Sequence, residues 1–450
     1  MSLINSTAIP SAAEDYTIAN SLRFNDNDSA YLSRSLSSAS NRRTFTISLW
    51  AKRSNQGNSQ QLLGCRSGLT FTLMYFSNHR INLYDYAGGS EYSANTSGTY
   101  TDPNIWYHVV VAVDTTQGTQ ANRVKIYING TQQSMGTNNF PQNFEMQING
   151  TGAGAHQIGR QSTGSDYYDG YLAEMHLVDG QQLTAADFGE TVDSEWKPIE
   201  YSGSYGTNGF YLDFADSGAL GDDESGNGND WTANNFSATD QVVDSPTVNF
   251  CTLDSTDTAG GEEWREGNLL WYSNHSQVGI GRSTTQGDVS SGKWYWEFLA
   301  GNGSRSPSLG IVLASEALSA SQYYVGQTSN GYGMFFNGYK YTNGGSSAYG
   351  ASFGNGDIIG IALDMDNTSI TFYKNGSSQG VAWSNISAGT YSPAHGSDQT
   401  GRDTYVYANF GQDSSFSGQK TAQGNQDEND IGDFYYTPPS GYLALCSANR

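Results

Sequence analysis

Much of this chain alternates apolar and polar residues with a period of two, the pattern of a β-strand with one buried face. Residues 44–52, TFTISLWAK, place Phe45, Ile47 and Leu49 on one side and Thr44, Thr46 and Ser48 on the other. One longer unit is written twice, as VVVAVDTTQGTQANRVKIYING at 109–130 and IIGIALDMDNTSITFYKNG at 358–376. Each copy is an apolar strand ending in an aspartate, Asp114 or Asp364, followed by a polar turn, a second strand and Asn-Gly. Asn and Gly both tolerate the positive φ of a type I′ turn, so Asn129–Gly130 and Asn375–Gly376 predict hairpin turns. Helical periodicity is nearly absent; the short segment 183–188, LTAADF, is the one helix candidate, with Thr184 as its N-cap. The pattern predicts an all-β protein of two domains built on one antiparallel plan.

The punctuation between strands divides the chain. Residues 1–20 are small and polar and predict an N-terminal arm that builds no core of its own; such an arm would anchor the chain to a neighbour. The first domain spans 21–250, an acidic Gly-containing linker spans 251–267, and the second domain spans 268–450. Residues 412–433 carry almost no apolar side chains and predict an exposed loop.

Composition narrows the class. The chain has 450 residues, 54 of them Gly and 30 Tyr but only 9 Pro, a balance that suits β-sandwiches. A formal charge of −23 repels nucleic acid and anionic membranes, so neither is an expected partner. Cys65, Cys251 and Cys446 are too few and too scattered for a disulfide framework or a zinc cluster, and read as packed thiols. The first residues lack the charged start and apolar core of a signal peptide, and no run approaches the roughly 18 apolar residues of a membrane helix.

Several segments resemble known families. SLRFNDNDSAYLSRSLSSASNRRTFTISLWAKR (21–53), WYHVVVAVD…RVKIYING (106–130) and DGYLAEMHLVDGQQLTAADFGE (169–190) are similar, in order, to laminin-G-like domains of the concanavalin A class, in the wording found in tailed-bacteriophage structural proteins. GKWYWEF (292–298), LGIVLA (309–314), YGMFFNGYKY (332–341), GDIIGIALDMDNTSITFYKNGSSQG (356–380) and VYANFGQ (406–412) resemble a SPRY domain, another sandwich of that class. The resemblance implies two tandem antiparallel β-sandwiches of jelly-roll type. It also implies a non-enzymatic phage virion surface protein, assembled in the bacterial cytoplasm and present in several copies on the particle. The role would be that of a tail fibre or adhesin, or a capsid decoration, contacting other virion proteins and host-surface glycans. Two competing readings are a polysaccharide depolymerase and a ligand-free structural cement.

Three features carry candidate chemistry. In Gly221–Trp231, Asp223, Ser225 and Asn227 supply alternating side-chain oxygens before Gly228, as at the start of a calcium loop, so calcium is the one cofactor to consider. The twelfth-position Glu of an EF-hand is replaced by Asn234, and the alternative reading is a solvated Asx-turn loop. Glycosidases of the concanavalin A class place carboxylates at i, i+2 and i+5 of one strand; here Glu174 and Asp179 flank His176, which breaks the set and leaves no catalytic residue expected. Tyrosines among Gly, Ser and Asn make stacking platforms for sugars or a protein partner, and Tyr84, Tyr86, Tyr167, Tyr168, Tyr339 and Tyr341 are the candidate ligand contacts.

Overall fold

The computed structural model describes residues 16–450 apart from 58, 260–261, 274–278, 302–306, 320 and 398–402. Strands dominate, and two β-sandwiches follow one another along the chain. One sheet of the first sandwich runs, in spatial order, Thr131–Gln132, Val124–Ile128, Tyr107–Asp114, Thr44–Arg53, Gly170–Asp179, Ser21–Phe24 and Gln241–Val242, with Phe210–Leu212 also paired to Gly170–Asp179. The other runs Met135–Asn138, Ser90–Thr96, Arg80–Ala87, Thr70–Ser77, Ser59–Ser67, His156–Ile158, Tyr31–Arg34 and Thr232–Asn234. The alternation read in 44–52 is realised: Phe45, Ile47 and Leu49 pack against Leu63, Met74 and Leu83 of the facing sheet.

The second sandwich repeats the plan with a seven-stranded and an eight-stranded sheet. Its core joins Trp271, Trp296, Phe298 and Ile361 of one sheet to Leu309, Ile311 and Met334 of the other. The duplicated hairpins occupy matching places. Val113 pairs with Val124 and Val111 with Ile126 in the first, and Leu363 with Ile370 and Ile361 with Phe372 in the second. Asn129 and Gly130 have φ of 45° and 78°, and Asn375 and Gly376 of 49° and 76°, as a type I′ turn needs. Thr184 caps a short 3-10 helix, Ala185–Asp187, through a capping box with Asp187.

Three expectations are corrected. Residues 251–267 are not a linker, because Leu253–Ala259 pairs with Gly279–Ser283 and Glu262–Arg265 pairs with Leu270–Ser273. Both are edge strands, and neither LDSTDTA nor EEWR carries an apolar stripe. Residues 412–433 are not simply an exposed loop: Gln412, Asp413, Ser414, Ser415 and Phe416 are buried. The arm read over 1–20 lies outside the described residues as far as residue 15, and its remainder belongs to the first sandwich. Ile18 is buried with Trp50, Trp106 and Tyr171, and both its N–H and its carbonyl bond Thr247 Oγ1.

The two sandwiches share a polar, buried junction. The fully buried guanidinium of Arg23, on the first, donates to Asp413 Oδ2 at 2.8 Å and lies 3.7 Å from Glu266 Oε2, both on the second. Lys52 donates to Asp244, Asn249 and the carbonyl of Phe250, which pins the connection between the sandwiches. Tyr171 donates to the carbonyl of Gly267 at 2.7 Å. Such contacts couple the two bodies, because a buried ion left without its partner is costly.

Candidate functional site

A cleft of about 590 Å³ opens on the outer face of the first sandwich, where four pieces of chain meet. They are Tyr16 and Thr17, the hairpin Gly189–Val192 with Glu195–Pro198, the connection through Pro246, Thr247 and Asn249, and the C-terminal Ser447 and Ala448. The last two pieces are fastened to each other, since Asn249 N–H donates to Ser447 Oγ and Ser447 N–H to the carbonyl of Asn249. A concave site at the meeting of two domains, with mixed polar and apolar walls, is a usual setting for a ligand.

Trp196 is the main aromatic wall. Its indole N–H donates to His108 Nδ1 at 2.9 Å, and its ring stacks on that imidazole with centroids 5.9 Å apart. Because Trp196 can only donate, His108 carries its proton on Nε2, which bonds Ser48 Oγ at 2.9 Å. Burial holds His108 neutral and pulls its pKa down to about 3. A Cβ on Gly130 would lie 2.3 Å from the Trp196 ring and one on Gly189 2.5 Å, so only glycine fits at either position. The type I′ hairpin turn therefore also seats the indole.

Tyr16, which also lines the cleft, leads to a second buried cluster. Its hydroxyl donates to Glu174 Oε2 at 2.9 Å, and Tyr211 donates to Oε1 at 2.7 Å. His176 Nε2 lies 3.5 Å from the same carboxylate, its Nδ1 bonds Tyr205, and its ring stacks on Tyr211 at 4.5 Å. Burial and the nearby carboxylate push the Tyr16 and Tyr211 hydroxyls well above the usual tyrosine range. Glu174 reaches this face through a β-bulge: Ala173 pairs with Trp50 and His176 with Ser48, so Glu174 and Met175 together oppose Leu49. Met175 goes to the core, while Glu174 turns outward with φ of 47°.

The residues singled out from sequence fall in separate places. Glu174 and His176 meet, but Asp179 accepts from Asn41, Asn149 and Asn208 instead. Both oxygens of Asp223 are used within its own loop and strand: Oδ1 accepts from the N–H groups of Tyr211 and Ser225, and Oδ2 from Ser225 Oγ and Asn229 N–H. Asn227 donates to the carbonyls of Gly206 and Gly209. These bonds are those of an Asx-turn brace. Tyr84 and Tyr86 lie half-buried against Phe71, with ring centroids at 5.6 and 5.5 Å. Tyr167, half-buried, accepts from Arg160. Tyr341 packs on Phe335 at 4.2 Å, and Tyr339 is exposed. Tyr168 is corrected: it is fully buried and donates to the carbonyls of Lys52 and Tyr171, so it cannot contact a surface ligand. Trp196 and Tyr16 were missed because neither sits in a recognisable motif; the break in apolar phase between Leu172 and Met175 was the one readable sign of the bulge.

The fold thus defines a protein of two tandem β-sandwiches with a cleft at their meeting. The family models agree segment by segment: residues 24–187 match the concanavalin A-like lectin/glucanase superfamily model of laminin-G type, and residues 293–412 match the SPRY domain. The chain therefore carries a laminin-G-like domain followed by a SPRY domain. Among curated proteins, it is 28% identical over 171 residues to the ATP-dependent RNA helicase Ddx1 of Drosophila melanogaster, a match covering 37% of this chain and 20% of that protein. It is 29% identical over 141 residues to Ran-binding protein 10 of Danio rerio, covering 31% of this chain and 23% of that one. The chain thus spans about a fifth of the length of these relatives. Among solved structures, the SPRY domain of human HERC1 is 22% identical with a TM-score of 0.31, covering 35% of this chain and 96% of that domain. A heptameric pentraxin from Limulus polyphemus is 18% identical with a TM-score of 0.29, covering 38% of this chain and 80% of its own.

Proposed function

We propose that this chain is a non-enzymatic binding module of a tailed-phage particle, and that the cleft between Trp196 and Tyr16 receives a host-surface glycan. The phage setting rests on the resemblance of the first domain's segments to phage structural proteins. The observation that carries the binding reading is the cleft itself. A rigidly seated indole and a tyrosine ring face a rim of Glu190, Glu195, Lys197, Asn249 and Ser447, the mixture of flat apolar and hydrogen-bonding surface that a sugar ring matches. The non-catalytic reading is favoured by the groups beneath. The Glu174 carboxylate is bonded by two tyrosines, and the partner carboxylate a glycosidase strand would supply, Asp179, is turned to three asparagines.

The test is a titration of the full chain with polysaccharide purified from the host surface, followed by tryptophan fluorescence. Saturable quenching is expected in the wild type and is lost in Trp196→Ala. Equal quenching in both proteins would remove the cleft from the binding reading.

A further inference from the structure

At the junction between the sandwiches, the carboxylate of Asp169 is 1% exposed, and neither of its oxygens has a hydrogen-bond partner. An unpaired buried carboxylate is among the least favourable groups a fold can hold. The charges that act on it make matters worse, because they are the carboxylates of Asp26 and Glu266. The cations near the junction are committed elsewhere. Arg23 serves Asp413 and the carbonyl of Thr239, and Arg53 serves Gln60 and the carbonyl of Tyr100.

A second orphan oxygen belongs to a residue bonded to the same stretch of backbone. Asn268, also 1% exposed, has no partner for Oδ1. Both residues bond the backbone of Ser54 in the first sandwich. Ser54 N–H donates to the carbonyl of Asp169 at 3.2 Å, and Asn268 Nδ2 donates to the carbonyl of Ser54 at 3.2 Å. Asn268 comes from the second sandwich, in a turn where Glu266, Gly267 and Asn268 all have positive φ, of 55°, 64° and 64°. That turn is held down by the Tyr171 hydroxyl on the Gly267 carbonyl. A backbone in this region is costly for Glu and Asn and persists only where its surroundings impose it.

We propose that one divalent cation of the calcium class binds at this junction, on the Asp169 carboxylate and Asn268 Oδ1, and ties the two sandwiches together. The donors are hard oxygens of mixed type, as calcium prefers. No three His, Cys, Asp or Glu side chains form a metal cluster among the described residues. Amide and main-chain oxygens and solvent therefore complete the shell, while Asp26 and Glu266 supply negative field rather than ligands. Polar hollows flank Asn55, next to Ser54, one lined by Asn27, Ser255 and Glu263 and the other by Asp26, Gln60 and Tyr167. The site is distinct from the Asp223 loop, whose carboxylate is already satisfied.

The full chain, stripped with EDTA and dialysed, is titrated with calcium chloride by calorimetry, and its thermal unfolding is recorded with and without the metal. One saturable site and an upward shift of the midpoint are expected. Asp169→Asn, which removes the charge and keeps the shape, should weaken calcium binding at least tenfold and abolish the shift. Asp223→Asn should leave both intact. Asn268→Asp adds a charged donor and should tighten binding, which keeps the test open if Asp169→Asn folds poorly. No calcium response in the wild type, an unchanged response in Asp169→Asn, or an unchanged affinity in Asn268→Asp would each overturn the site; the Asp169 carboxyl would then be a neutral buried acid.

Discussion

Replacing Arg23 by Met tests how firmly the two sandwiches are joined. The guanidinium is fully buried and donates to Asp413 Oδ2 at 2.8 Å, the Thr239 carbonyl at 3.1 Å and Asp240 Oδ1 at 3.4 Å, with Glu266 Oε2 at 3.7 Å. Breaking a buried ion pair by removing one partner costs about 3–5 kcal/mol. The lower end applies here, because Asp413 keeps bonds from Ser415 and Ser417, and Glu266 keeps the Asn25 amide. A loss of about 3 kcal/mol corresponds to a midpoint drop on the order of 6–12 °C for domains of this size. Calorimetry of wild type and Arg23→Met at neutral pH reads it, and the transition of the variant should also separate into two as the sandwiches uncouple. Adding Asp413→Asn should restore part of the loss, because it removes the carboxylate that Arg23 compensated. A change below about 1 kcal/mol, with a single unaltered transition, would refute the reasoning that a buried ion left without its partner is costly here.

Gly130→Val should destabilise by roughly 2–4 kcal/mol in urea, since a β-branched residue resists positive φ and its Cβ would enter the Trp196 ring; a normal midpoint would contradict the seating of the indole. His395 is buried among Trp264, Trp271 and Phe298 with both ring nitrogens unpaired, and burial pulls its pKa down from 6.5 to about 3. The unfolded chain then binds the extra proton between those values, so His395 costs stability as pH falls below about 6.5, by about 1.4 kcal/mol per pH unit. His395→Phe should remove that loss, seen as a smaller fall in urea midpoint from pH 7 to pH 5; parallel falls would show that His395 does not stay neutral. Host polysaccharide incubated with the protein should keep its chain length by size exclusion, whereas shortening that disappears in Glu174→Gln would establish a depolymerase.

The hairpins were legible because their instructions are local: an aspartate-ended strand, a polar turn and Asn-Gly dictate dihedrals without reference to the rest of the chain. The edge strands at 253–265 were not, since Thr, Ser and Asp on an exposed edge carry no apolar alternation. The segment after Gln412 read as exposed from its polarity, yet its polar groups are buried because Arg23 and the Cys251 carbonyl, distant in sequence, satisfy them. Tyr167 and Tyr168 could not share one site, because neighbours in an extended chain point to opposite sides; Tyr167 borders a surface hollow and Tyr168 the interior. The cleft depends on a bulge, two glycines and the meeting of both chain ends' segments, none of which a single strand pattern encodes.

The most direct test of the account is a structure of the full chain determined with an oligosaccharide from the host surface. An intact sugar is expected to lie on Trp196 and Tyr16, with its hydroxyls bonded to the rim at Asn249 and Lys197. Sugar density confined to Tyr84 and Tyr86 or to Tyr339 and Tyr341, or a cleaved product beside Glu174, would contradict it.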